Sequence, residues 1–214
     1  MKEKLFARYT PGKVILAVIG ILFAGSGIAV VGVANLGYDS VGILYDGIRS
    51  AAHLTPAQLG VASNITNAAL MVLVFLLNRH YINIGTFIYV LPYGFVVDTT
   101  GRILRMVVDE QTLPLFARIV IAVFGYVVLY LGVSMFIVAD IGLDPFTGIV
   151  MVINDKVKKA FQKTKICFDI CCIIIGTLLG GKLGVITLVT AFAAGPLIGH
   201  FAEELKRFMG KRKE

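Results

Sequence analysis

Apolar runs broken by short polar stretches predict six long helices, at residues 13–34, 56–77, 82–99, 115–139, 165–179 and 183–201. Apolar runs of about 17–25 residues are what the hydrocarbon core of a bilayer demands of a helix, and the longest here exceed any strand. The second and third runs meet at the polar turn Asn78-Arg79-His80, and the fifth and sixth at Gly180-Gly181-Lys182. Each of these pairs therefore reads as a tight helical hairpin.

The pattern occurs twice. Val33-Ala34-Asn35-Leu36-Gly37-Tyr38-Asp39-Ser40 returns 105 residues later as Val138-Ala139-Asp140-Ile141-Gly142-Leu143-Asp144-Pro145, with Gly27 matching Gly132 and Ile48 matching Ile153. The hairpins align at an offset of 101, Gly85-Thr86 against Ile186-Thr187 and Gly94 against Gly195. Each copy ends its first long helix with the break G-x-D-[SP]. The segments that follow, 41–52 and 146–160, are too short and too charged to cross a core of about 30 Å. Three crossings per copy invert the second copy, which implies a pseudo-two-fold axis in the membrane plane. The expected fold is all-α: one polytopic membrane domain over residues 1–214, with two inverted three-helix repeats, at about 13–101 and 115–202, and broken or re-entrant segments.

Composition agrees. The chain is 57% hydrophobic and only 15% charged, against roughly 25% charged in soluble domains, and its mean hydropathy is +0.87. The net charge of +7 does not indicate nucleic acid, because the basic residues cluster at the termini and at 156–165 as topology signals do. With the N-terminus in the cytoplasm, Arg49, Arg102, Arg105, Arg118 and Lys182 fall outside and the other fifteen of the twenty Lys and Arg inside. Both termini are therefore expected in the cytoplasm, with the chain integral to the inner membrane and the bilayer its first partner. The basic-then-apolar N-terminus resembles a signal peptide, but its run is too long and belongs to the repeat. Cys167, Cys171 and Cys172 lie in one apolar segment and read as small buried hydrophobes rather than ligands.

Five polar residues are candidates for binding a solute or ion. Asp39 and Asp144 each stand two residues after a glycine at a helix break, where N-capping is the plain role. Convergence of helix ends and carboxylates at the repeat interface is the functional one. Pro145 should hold the second break more rigidly than Ser40 holds the first, so Asp144 is expected to matter more. Asp169 and Asn67 occupy roughly matching positions inside spans, Asn64 lies one turn before Asn67, and intramembrane polar residues point to function by default. Asp98 and His200 are expected to close the third and sixth spans as interfacial caps. Tyr89, Tyr93 and Phe95 flank Pro92, and small residues at Gly20, Ala24, Gly27, Gly32, Gly176 and Gly180 suit close helix contacts. Catalytic and metal-binding patterns are absent from the sequence. No enzymatic activity, cofactor or metal is expected.

Three motifs carry a family resemblance. They are Ala139-Asp140-x-Gly142-x-x-Pro145, the turn Leu179-Gly180-Gly181-x-x-Gly184-Val185-x-Thr187, and Gly195-Pro196-Leu197-Ile198. Over about residues 13–202 the chain resembles the bacterial YczE/YyaS/YitT membrane proteins, although Ser40 stands where that family often has proline. Its members are generally described as uncharacterised proteins or candidate transporters. The resemblance and the breaks together lead to the expectation of a small secondary transporter for a small solute, coupled to protons or Na⁺. Two other roles stay open: a substrate-binding membrane subunit working with a separate ATPase, and a regulatory membrane protein without a solute. Homo-oligomerisation or a membrane partner subunit is compatible with each.

The charge bias makes a direct prediction. In a variant without the native cysteines, Lys182→Cys should react with an impermeant thiol reagent from outside intact cells, and Lys158→Cys should not. Outside labelling at position 158 would overturn the six-span topology.

Overall fold

A computed structural model describes residues 9–110, 112–158 and 161–211; Lys2, Lys4, Arg8, Lys159, Arg212 and Lys213, counted above toward topology, lie outside the described residues. Among the described residues eight helices follow one another: α1 Pro11–Ala34, α2 Ser40–Ala51, α3 Leu59–Asn78, α4 Ile84–Val107, α5 Leu115–Ala139, α6 Pro145–Val157, α7 Phe161–Leu178 and α8 Val185–Lys211. Short 3₁₀ turns at Pro56–Gln58 and Arg79–Tyr81 flank α3. Among the described residues four stretches, Pro11–Ala34, Pro56–Tyr81, Leu115–Ala139 and Val185–Gly210, are long and apolar enough to cross a membrane, against the six spans expected. Large apolar side chains point outward, Leu76 at 74% and Phe192 at 84% exposure, while Ser63, Asn67 and Ser134 are fully buried. Apolar outside and polar inside is the arrangement a lipid solvent favours.

The expected breaks are where the chain leaves helical geometry. Asn35 and Asp140 take matching left-handed C-cap conformations, φ 57° and 50°, which short polar side chains tolerate better than most. Beyond them α2 and α6 start with Asp39 and Asp144 as N-caps. Two helix ends differ most from expectation. α4 continues to Val107 and α8 to Lys211, so Asp98 and His200 lie within helices instead of closing them. Pro92 and Pro196 are accommodated inside α4 and α8.

The most extensive packing is between α1 and α5. Gly20 meets Gly132 and Gly27 meets Gly125; a Cβ at Gly20 would lie 2.7 Å from the Gly132 carbonyl oxygen, and one at Gly27 2.7 Å from that of Gly125. Rising numbers on α1 meet falling numbers on α5, so the helices run antiparallel. The offset of 105 turns the first contact into the second, which makes the crossing self-complementary, as two-fold interfaces are. Other contacts pair off in the same way: α1 with α4 and α5 with α8, α2 with α7 and α6 with α3. The first break packs on the start of α8, Gly37 against Gly184, and the second on the start of α4, Gly142 against Asn83 and Gly85.

One correspondence fails. α3 and α4 lie backbone to backbone at Gly60 and Gly94, where a Cβ on either would strike the other's carbonyl oxygen. α7 and α8 have no comparable packing, and Gly195, the counterpart of Gly94, has nothing within 4 Å of the position a Cβ would take.

These contacts rank glycine substitutions. Gly27→Leu should overpack the α1–α5 crossing at a cost of about 1–3 kcal/mol or more, visible as a lower thermal midpoint in detergent. Gly195→Leu should leave the midpoint unchanged. The reverse order would refute the crossing.

Candidate functional site

α2 and α6 are half-length helices that start in the middle of the bundle. Ser40, the first residue of α2, donates its hydroxyl to Asp169 Oδ1 at 2.9 Å, halfway along α7. Farther along α2, Gly47 lies against Gly176 and Asp46 Oδ2 accepts the Lys182 N–H at 2.8 Å beyond the end of α7. On the other side Val74 packs with Ile149 and Val152, and the Tyr81 hydroxyl donates to Asp155 at 2.8 Å. α2 therefore ends beside the start of α3, and α6 ends beside its finish. The two half-helices leave the centre in opposite directions.

At the centre Tyr45 of α2 packs edge-on against Phe146 of α6, with ring centroids 5.6 Å apart. Tyr45 also lies 6.2 Å from Tyr93, which stacks on Tyr89 at 5.1 Å. Asn67 is fully buried and donates its amide to the Tyr45 hydroxyl at 3.0 Å. Both Asp39 and Asp144 lie within electrostatic reach of Tyr45, Tyr89 and Tyr93. Thus the helices that follow the two breaks meet at Tyr45 and Phe146 although the breaks lie 105 residues apart in sequence.

The two carboxylates differ in how they are held. Asp144 places one oxygen on the Thr147 N–H at 3.0 Å and the other on the Thr147 hydroxyl at 2.6 Å. Asp39 engages Oδ1 alone, on the Gly42 N–H at 2.9 Å. On α5, one turn apart, the hydroxyls of Tyr126 and Tyr130 are buried without a hydrogen-bond partner. The Asp39 backbone lies beside the first and Thr190 of α8 beside the second, the nearest groups able to pair with them. Each unpaired buried hydroxyl costs roughly 1–3 kcal/mol. Asp144 is thus held through both oxygens and Asp39 through one.

Of the other candidates, Asn67 joins the centre through Tyr45. Asp169 borders it through Ser40 and forms an ion pair with Lys165. Asn64 stands apart, accepting the Gly94 N–H at 3.0 Å. It acts with Asp98, which accepts the Gly60 N–H at 2.5 Å, to clamp α3 to α4. Asp98 thus caps the start of a neighbouring helix, a role its position near a span end did not disclose. Cys167 and Cys171 are exposed and Cys172 is buried; among the described residues no cluster of His, Cys, Asp or Glu could hold a metal ion. Sequence reasoning missed Tyr45, Tyr126 and Tyr130. The available signal was the four-residue spacing of Tyr126 and Tyr130 in an apolar helix whose other copy has Ile21 and Gly25.

Comparison with known proteins agrees in extent. The profile of a family of unknown function, DUF6198, matches residues 12–203. An uncharacterized protein of Haemophilus influenzae is 23% identical over 201 residues, covering 94% of this chain and 87% of its own. No solved structure matches the chain significantly.

The caps separate two kinds of substitution. Asp144→Asn should keep the thermal midpoint, since an amide oxygen caps as well as a carboxylate, whereas Asp144→Ala should lose about 1 kcal/mol. Asp98→Ala, which orphans a buried N–H, should cost at least as much. Equal midpoints for the two Asp144 variants would remove the cap from the account.

Proposed function

We propose that this chain, which belongs to the DUF6198 family of unknown function, is a small secondary transporter carrying a small solute across the bacterial cytoplasmic membrane. In this reading it crosses the membrane six times in two inverted repeats, both termini face the cytoplasm, and transport is coupled to protons or Na⁺. Kinship with the YczE/YyaS/YitT proteins belongs to the proposal and rests on the turn at 179–187 and on Gly195-Pro196-Leu197-Ile198. No enzymatic step, cofactor or metal enters it.

The observation that carries the reading is the meeting of two half-helices, each with its own carboxylate, at one tyrosine cluster inside a lipid-facing bundle. Non-helical backbone at that depth is tolerated only where protein buries it or it lines a cavity. Transporters place their sites at such breaks. The inverted arrangement draws support from the reciprocal glycine crossing and from the opposite exits of α2 and α6. The topology draws support from Asp46, which binds both Arg49 and the N–H of Lys182, two positions assigned outside. Unequal hairpins, α3–α4 closed and α7–α8 apart, suit a carrier whose halves close in turn. Dependence on a separate ATPase subunit gains nothing from the small residues of α1, because α5 already covers Gly20 and Gly27.

Pools of amino acids, sugars, carboxylates and amines screened by thermal shift should yield a stabilising pool, because a native-state ligand stabilises by mass action. A member of that pool should then accumulate in proteoliposomes containing the protein alone. Stabilisation without flux, with an ATPase copurifying, would replace the carrier by a subunit of a larger transporter. No stabilisation and no flux would favour a regulatory membrane protein.

A further inference from the structure

We infer that Asp39 is the counter-ion of a binding site for a small organic ammonium, seated between the rings of Tyr45, Tyr89 and Tyr93 and the hydroxyls of Tyr126 and Tyr130. The inference rests on the carrier reading and names the chemical class of its solute.

Charge is the first argument. Asp39 and Asp144 bring two negative charges to the centre, and the N-termini of α2 and α6 return about half a positive charge each. Asp169 is balanced by Lys165. Among the described basic side chains, Arg49 is engaged with Asp46, Arg105 with Glu110, Arg118 with the carbonyls of Leu113 and Glu110, and Lys182 with Asn35. The centre keeps a deficit of about one positive charge, which a monovalent cation would fill. An anionic solute would deepen the deficit.

The unpartnered hydroxyls supply the second argument. Tyr126 is 6% and Tyr130 2% exposed, and neither hydroxyl has a hydrogen-bond partner. Their rings lie 5.5 Å apart on one face of α5, with the Asp39 backbone beside Tyr126. Hydroxyl oxygens there can accept N–H from an ammonium whose charge Asp39 meets. Tyr130 is within electrostatic reach of both Asp39 and Asp169, with Thr190 alongside. The first break, α7 and α8 therefore meet at it, on the side where α7 and α8 stand apart.

Aromatic faces decide the kind of cation. Tyr45, Tyr89, Tyr93 and Phe146 form a linked aromatic group, and ring faces attract alkylammonium ions. Inorganic cations instead prefer a shell of oxygen ligands. At the positions equivalent to Tyr126 and Tyr130, α1 carries Ile21 and Gly25, so the site exists once despite the repeat.

The test titrates the purified protein with methylammonium, tetramethylammonium, sodium and acetate salts at constant ionic strength, read by thermal shift and calorimetry. Methylammonium should stabilise saturably, tetramethylammonium less, and sodium and acetate no more than any salt. Asp39→Asn should weaken methylammonium binding at least tenfold. The double variant Tyr126→Phe with Tyr130→Phe should weaken it similarly while unfolding at the same or a higher temperature without ligand, which a merely structural role would not produce. Equal response to all salts, preference for acetate, or unchanged affinity in the double variant would overturn the assignment. Flux of bound methylammonium into proteoliposomes, at mildly acidic pH where neutral amine is scarce, separates the two claims. Binding without flux keeps the site and removes the carrier. Flux of a neutral or anionic solute without ammonium binding does the reverse.

Discussion

The backbone contact between α1 and α5 is the constraint on which the other elements depend. In lipid no hydrophobic force draws helices together, so association rests on close van der Waals packing and on polar contacts. Gly20, Gly27, Gly125 and Gly132 let the two helix backbones touch at two points related by the repeat. Fixing that crossing fixes where each long helix ends. Each break then falls against the start of the other half's last helix, and each half-helix falls along the other half's α3 or α7. The fold is less two units side by side than two units each completed by the other.

Polar groups at the breaks are satisfied by the same exchange. Thr86 of the first half donates its hydroxyl to the Leu143 carbonyl of the second at 2.8 Å, while Lys182 of the second half binds Asn35 of the first at 2.5 Å. Asp39 and Asp144 cap their own half-helices. Among the described residues the buried hydroxyls of Tyr126 and Tyr130, both on α5, are left without a partner. A framework close to two-fold thus carries one-sided chemistry. Its two departures from symmetry, the tyrosine pair and the separation of α7 from α8, meet at Thr190 and Tyr130.

The α3–α4 hairpin is held by Gly60 against Gly94 and by two polar clamps, Asn64 and Asp98. Among the described residues nothing equivalent joins α7 to α8, and Gly195 faces open space. The half without clamps is the half that borders Asp39, through Ser40 and Asp169.

Much was legible from the chain alone, because helix length, apolar runs and the helix-ending pattern are local properties. α5 matches its expected bounds, and the Asp39 and Asp144 caps follow from short-range chemistry. The offset of 105 even contained the glycine crossing, once its self-complementarity is recognised. What the chain could not disclose was which polar residues share a neighbourhood, since that depends on the packing of helices distant in sequence. Asn64 and Asn67 are three residues apart on α3, yet one clamps α4 and the other reaches Tyr45. Asp98 is near a plausible span end, but its acceptor role comes from Gly60 on another helix. Tyr126 and Tyr130 look like ordinary members of an apolar run until tertiary packing buries their hydroxyls beside Asp39 without partners. Sequence determined the elements and their repetition through local periodicity; the tertiary structure alone decided which carboxylate and which hydroxyls meet.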